Sequence, residues 1–443
     1  MTDNNQNLTG FNSSVINKTL CSITMEVEVP ENVVSKEIEA AFSVIQKETK
    51  IDGFRHGKAP IEVVKRKFGA EAKNKAVESS IRKTVFNALS KESFTPLDLP
   101  VIDEFDYEQG QDLKYRFTAE AHPKFEPADY KNIPLKKEVF KITDAVLLHS
   151  LDILRERNAK LVPSKTSVVS DKSLVLADYD VFDAGGKILA DISAEGAMFD
   201  LGSENTLKGF KDVLIGAKAG EEKEACIEYP AAYPNKVLAG KNVKFRIKVN
   251  EVKEKDIPEL TDDFAKDMGT ESVNDLKAKL KESIGAEEIH RENTDIEKQI
   301  VDYLLEKNKF EVPVSLIERR KEVLIEKMEK YMHSRGVSAE YIEKQVHDQN
   351  ANFKTEAEKD VRLSYILNAV SVKENLLATD EDIKVKKDEM KASNPGRESY
   401  VDKYFDERKE NIVSALKEEK IFGFLIKNAK ITVEEKDMPL KED

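Results

Sequence analysis

Ile23, Met25, Val27 and Val29 alternate with Thr24, Glu26 and Glu28, the period-two pattern of a half-buried strand. After Pro30 the apolar positions become Val34, Ile38, Phe42 and Ile45, which is helical spacing. A short helix is predicted from Pro60 to about Phe68, then a longer one carrying Val77, Ile81, Val85 and Leu89 on one face, ended by Pro96 and Pro100. Leu113, Tyr115, Phe117, Ala119 and Ala121 alternate once more and predict a returning strand. Strand, helices, then strands is the order of an α+β domain whose helices cover one face of an antiparallel sheet.

Pro123, Pro127 and Pro134 break up the following stretch, which suits a connector. A helix is expected from Thr143, a natural N-cap, through Leu147, Leu151 and Leu154, closed by Pro163. Residues 136–163 thus read as a linker with one helix. Between 164 and 254 the pattern changes to short apolar strands separated by glycine turns, among them Leu174-Val175-Leu176, Gly185-Gly186, Gly209 and Gly240, with Phe245, Ile247 and Val249 in a final strand. Residues 255–443 read as almost wholly helical. Ser272 opens a helix, Phe310-Glu311-Val312-Pro313 separates two long ones, and Thr379-Asp380-Glu381-Asp382 caps another. Leu316, Val323, Ile325, Met328, Tyr331 and Met332 mark one arm, and Ile366, Val370, Val372, Leu376 and Leu377 a second.

A length of 443 residues predicts two to four domains. The 40% apolar content can build cores, while 35% charged residues imply long helices or an open shape. A formal net charge of -13 argues against DNA or general nucleic-acid binding, so any contact with RNA needs a local basic patch. Cys21 and Cys226 show no metal or redox spacing, and a reduced cytoplasmic protein is the simplest reading. The opening MTDNNQNLTG has no basic segment followed by an apolar one, so no signal peptide is expected. No run approaches the ~20 apolar residues of a membrane helix. The six histidines form no metal-ligating spacing and no Gly-rich phosphate loop is present, so no metal, ATP or other cofactor is expected.

The most informative stretch is Gly53-Phe54-Arg55-His56-Gly57-Lys58-Ala59-Pro60. Two glycines bracket an aromatic and a cation, so a sharp loop can push both into solvent, with Pro60 at a helix start. An ordinary inter-helix loop explains the octet about equally well by itself. From Phe54 to Lys75, Arg55, Lys58, Lys65, Arg66, Lys67, Lys73 and Lys75 face only Glu62 and Glu71, either a phosphate-facing patch or a solvated helix face. The octet resembles the ribosome-docking signature of the trigger factor family, chaperones that meet nascent chains at the bacterial exit tunnel. That resemblance implies docking through Phe54, Arg55, His56, Gly57 and Lys58 on the large ribosomal subunit near the exit. His56 stands where the family commonly has lysine.

Gly209-Phe210-Lys211-Asp212-Val213-Leu214-Ile215-Gly216, Ala219-Gly220-Glu221 and the run from Tyr229-Pro230 to Gly240-Lys241 resemble FKBP-type prolyl isomerases. The resemblance implies a bent antiparallel sheet around one helix and a pocket of Tyr179, Leu207, Phe210, Tyr233 and Phe245. Some of these are expected to be plain core aromatics. Ile188 and Leu189 fall where the family places a Phe followed by an acid, and Val181 replaces a glycine, so isomerase activity is expected to be weak. Ile257-Pro258-Glu259-Leu260-Thr261-Asp262-Asp263-Phe264-Ala265 and Phe310–Pro313 match trigger factor's C-terminal domain.

Together the motifs imply an α+β multidomain chain. It divides into a tail (1–14), a ribosome-binding α+β domain (15–135), a linker (136–163), an FKBP-like domain (164–254) and an all-helical C-terminal chaperone domain with two arms (255–443). The implied function is ATP-independent shielding of unfolded and nascent polypeptides, with clients touching exposed arm residues such as Met328, Met332 and Ile342. A homodimer off the ribosome is a further expectation of the resemblance. Two alternatives stand beside it: a periplasmic chaperone–isomerase of similar layout, and a dedicated prolyl isomerase with helical extensions.

Overall fold

The computed structural model describes residues 10–51, 54–182, 188–189, 192–203, 206, 208–229, 240 and 242–440. The backbone divides into two compact units, Met1–Leu135 with Ile296–Ile431, and Lys136–Asp295 with Thr432–Asp443.

The first unit opens with β1 (Asn12–Lys18), β2 (Ser22–Val29), α1 (Glu31–Glu48), α2 (Ile61–Lys91), β3 (Val101–Asp106) and β4 (Leu113–Glu120). The strands form an antiparallel sheet in the order β1-β2-β4-β3. The alternation in β2 and β4 has its cause here: Ile23, Met25, Val27, Tyr115 and Phe117 lie buried beneath Val77, Val85 and Leu89 of α2. Each such side chain contributes about 1.5–3 kcal/mol on burial. The two predicted helices are continuous in α2, and Phe68 (φ -121, ψ 21) marks the kink between them. Thr84 and Tyr115 pair in this core, while Ser80 Oγ, buried on α2, has no hydrogen-bond partner among the described residues. Thr84 Oγ1 donates to the Ser80 carbonyl at 2.7 Å and stands 2.7 Å from the Tyr115 hydroxyl. Burial pushes the Tyr115 pKa well up. Edge strands β1 and β3 were not predicted, because with both faces largely exposed they carry no alternation. Residues 12–14, expected in a tail, belong to β1.

The segment expected to be a linker with one helix contains three elements: β5 (Pro134–Lys141), α3 (Asp144–Arg157) and β6 (Lys160–Pro163). Thr143 caps α3 as expected, accepting from the Val146 amide at 3.4 Å. The following region holds β7 (Leu174–Phe182), β8 (Ala194–Asp200), α4 (Lys208–Leu214), β9 (Glu222–Glu228) and β10 (Asn242–Asp256). Strand β10 pairs antiparallel with β6, β7 and β9, and β7 with β8. Register shifts at Ala177/Tyr179 and Val249/Glu251 bend this sheet, as bulges do. Phe210 and Leu214 of α4 press into its concave face.

The helical region comprises α5 (Asp262–Asp267), α6 (Val273–Lys307), α7 (Val314–Ser334), α8 (Ala339–Asp348), α9 (Asn350–Lys373), α10 (Asp380–Ala392), α11 (Glu398–Glu407) and α12 (Lys409–Lys427). It does not end helical. Lys430–Asp437 form β11, paired with β5, a partner distant enough in sequence to leave no local signal. Helices α7, α8 and α9 pack as one group and α10, α11 and α12 as another. Ile366 and Val370, expected along an arm, are instead buried with Ile300, Leu304, Ile421 and Leu425 in the core beneath both groups. Pro313, at the N-cap of α7, has no side-chain acceptor to cap it. Glu120, at the end of β4, accepts from the Val314 and Ser315 amides at 2.9 and 3.0 Å, placing a carboxylate at the positive helix end.

Candidate functional site

The loop expected to dock is flanked by two buried residues, with exposed side chains between them. Ile51 and Ala59 are buried with Phe42, Ile45 and Val64, and Gln46 Nε2 donates to the Ala59 carbonyl at 2.6 Å. Between them the Phe54 amide donates to the Ile51 carbonyl at 3.1 Å, and the Lys58 amide to the Arg55 carbonyl at 2.9 Å. Gly57 sits at the third position of that turn with φ +71, a left-handed conformation that glycine adopts without strain. Phe54 is 40% exposed, and Arg55, His56 and Lys58 are exposed beside it. Gly53 lies outside the described residues. Of the surrounding cations, Lys65 and Lys75 pair with Glu62 and Glu71 at 3.6 and 2.9 Å, and Lys73 lies 4.9 Å from the Tyr107 ring. Among the described residues Arg55, Lys58 and Arg66 have no ion pair within 4.0 Å.

The second candidate site is an aromatic cup in the bent sheet. Tyr179 on β7, Phe210 on α4 and Phe245 on β10 come together as expected, with ring centroids 5.7 Å apart for Tyr179–Phe245 and 5.1 Å for Phe210–Phe245. Leu207 and Tyr233 lie outside the described residues. Two rings absent from the expected set join it. Phe199 on β8 stands 5.7 Å from Tyr179 and 5.2 Å from Phe210, and Tyr229 lies 6.3 Å from Phe245. Phe199 sits opposite Val175 in the β7–β8 register, a placement that needs strand pairing to be known. Phe210 and Phe245 are buried and Tyr179 is half-buried, so the cup opens at its tyrosine side.

The Ile188–Leu189 pair is arranged opposite to expectation. Ile188, expected at the missing aromatic wall, is 44% exposed, while Leu189, expected at the acidic position, packs against the core. The Leu189 amide donates to the Val181 carbonyl at 2.8 Å. The Val181 amide donates to Ser193 Oγ, which donates on to the Leu189 carbonyl, both at 3.0 Å. Val181 itself is buried. An apolar aromatic cup of this kind can disfavour the planar, charge-separated amide relative to its twisted form, with no nucleophile required. Among the described residues no group of three or more His, Cys, Asp or Glu is placed to hold a metal, and no helix is long and apolar enough to cross a membrane.

On the helices expected to meet clients, Met328 and Met332 are half-buried and Tyr331 and Val372 are exposed, as is Leu377 in the loop after α9. Ile342 is only 3% exposed, so it is a packing residue of α8 and not the contact expected.

A trigger factor of Geotalea daltonii is 32% identical over 420 residues, covering 93% of this chain and 96% of its own. One of Geobacter metallireducens is 33% identical over 416 residues, covering 93% and 96%. The chain belongs to the trigger factor family. The bacterial trigger factor model matches residues 12–154 and its C-terminal model residues 272–427. Both the docking loop and the helices described above therefore lie in trigger factor sequence. Residues 165–250 match the FKBP-type peptidyl-prolyl cis-trans isomerase family, so the aromatic cup sits in an isomerase-type domain. A solved trigger factor chaperone covers 94% of this chain and 99% of its own at 18% identity and a TM-score of 0.44, too distant to support any placement.

Proposed function

We propose that this protein is a cytoplasmic, nucleotide-independent chaperone that docks on the large ribosomal subunit near the exit tunnel and shields emerging polypeptides. The observation that carries the reading is the pinned loop, which holds Phe54, Arg55, His56 and Lys58 in solvent within a trigger factor chain. Burying Phe54 on a partner is worth roughly 1.5–3 kcal/mol. Arg55 adds a charge-assisted bond to phosphate or carboxylate, so affinity falls as salt rises. Residues 15–135 act as the ribosome-binding domain, 164–254 as the isomerase and 255–443 as the main client surface, where several weak apolar contacts add through effective concentration.

The cup of Tyr179, Leu207, Phe210, Tyr233 and Phe245 is the proposed prolyl site. Its activity is weak because Ile188 and Leu189 stand where the family places an aromatic followed by an acid, and Leu189 gives an aliphatic wall. A free molecule pairs as a homodimer off the ribosome. The test is aggregation suppression of a refolding protein without nucleotide, run with ribosome cosedimentation. Suppression and binding are both expected. Suppression only with ATP, or no ribosome binding, contradicts the reading.

A further inference from the structure

A second surface of the first unit has the makings of a peptide site. Between α2 and β3 runs a groove of about 590 Å³ lined by Val77, Ile81 and Phe86 on the helix and Leu99, Ile102 and Phe105 on the strand side. Leu99 is 80% and Phe105 62% exposed, high for large apolar side chains that share one surface. The groove borders a sheet edge. Strand β3 is terminal in its sheet, and among the described residues its one ladder is to β4. A register shift at Asp103 puts Ile102 and Phe105, three residues apart, opposite the buried Phe117 and Tyr115, and hence on the helix-facing side.

The charge of this edge selects its occupant. From Ser93 to Leu113 the chain carries Asp98, Asp103, Glu104, Asp106, Glu108 and Asp112 and no lysine or arginine. Asp98 pairs with Arg319 and Glu104 with Arg116, while among the described residues Asp106 and Glu108 have no cation partner. Edge-to-edge pairing with a second copy would set these carboxylates against their own kind, a known device against self-association. A strand carrying cations gains where a second copy loses.

We propose that β3 accepts an extended polypeptide with alternating apolar and basic residues as a fifth strand. Its backbone hydrogen-bonds the free edge, alternate apolar side chains drop against Ile81, Phe86 and Phe105, and the basic side chains face Glu104 and Asp106. This site is separate from the docking loop and the aromatic cup, and rests on the chaperone reading only in that clients supply such segments.

The experiment uses the intact protein and three labelled eight-residue peptides read by fluorescence anisotropy. One alternates valine and lysine, one valine and glutamate, and one repeats the first with every second amide N-methylated. The Val–Lys peptide should bind. The Val–Glu and N-methylated peptides should bind about tenfold more weakly or worse, the latter because each lost backbone bond has a real cost. Leu99→Ser with Phe105→Ser, both exposed and tolerable for folding, should cost about tenfold, and Asp106→Lys a few-fold. Equal binding of the N-methylated peptide, or an unchanged double variant, overturns the site. A dimer in sedimentation that the double variant dissolves and the peptide does not disturb also overturns it, in favour of a second copy. Aggregation suppression measured on the same variant separates the failures: if it persists while the peptide results fail, only this site falls.

Discussion

The docking loop and the aromatic cup use the same residue type to opposite ends. Phe54 stands in solvent on a loop whose two neighbours in the core, Ile51 and Ala59, keep it from collapsing inward. Phe210 and Phe245 are buried in the bent sheet, while Tyr179 and Phe199 are half-buried. An aromatic held out of its own core contributes little to folding and keeps its burial energy for a partner. A buried one that lines a cup serves stability and binding together, so its role cannot be altered without disturbing the domain, whereas the half-buried Tyr179 can be changed at smaller cost.

The sharpest way to break that contrast is stability. Phe210→Ala should destabilise the isomerase-type domain by about 3–5 kcal/mol, whereas Phe54→Ala should stay within about 0.5 kcal/mol of the parent. Denaturant unfolding of both variants checks it, and comparable losses would dissolve the distinction. Next comes the wall of the cup. Leu189→Phe should raise prolyl isomerisation by up to about tenfold, the worth of one good aromatic contact. Ile188→Phe, on an exposed position, should do nothing. The reverse order in a proline-peptide assay would restore Ile188 to the wall.

Smaller effects sharpen the loop. Gly57→Val forces a branched side chain into φ +71 and should weaken ribosome binding several-fold, since the left-handed region costs roughly 1–2 kcal/mol. Smaller still is the contrast between the two thiols. Burial first, then Glu311 and Glu120, push the Cys21 thiol up to about 11, and its Sγ–H donates to the Glu311 carbonyl at 2.9 Å. Iodoacetamide at pH 8 should therefore label the exposed Cys226 well before Cys21. Because the folded value lies above the ordinary 9.0, the associated stability is intact below pH 9 and is lost as pH rises through about 11. Equal labelling of the two would show Cys21 to be open.

What the sequence revealed depended on how local the cause was. Strands β2 and β4 and helices α1 and α2 bury one face each, so their periodicity is visible. The edge strands β1 and β3 and the late strand β11 are defined by pairing to distant partners and leave no period. The loop was legible for the same reason as β2: two glycines, an aromatic and two cations within eight residues carry their own geometry. The cup was legible only in part. Tyr179, Phe210 and Phe245 were implied by the family resemblance, and Tyr229 lay in an FKBP-like motif without being expected in the pocket. Phe199 reaches the cup through sheet register, and Leu189 packs inward beside its bond to Val181. Ile342 was misplaced because one apolar residue on a charged helix has the same appearance in sequence whether it faces solvent or a neighbouring helix.

The most direct test pairs two variants of the intact protein, Phe54-Arg55-His56 changed to Ala-Ala-Ala and Tyr179→Ala, each assayed for ribosome cosedimentation and proline-peptide isomerisation. The loop variant should lose cosedimentation and keep its isomerase rate, while Tyr179→Ala, at the half-buried mouth of the cup, should keep cosedimentation and lose the rate. Ribosome binding that survives the loop change contradicts the account.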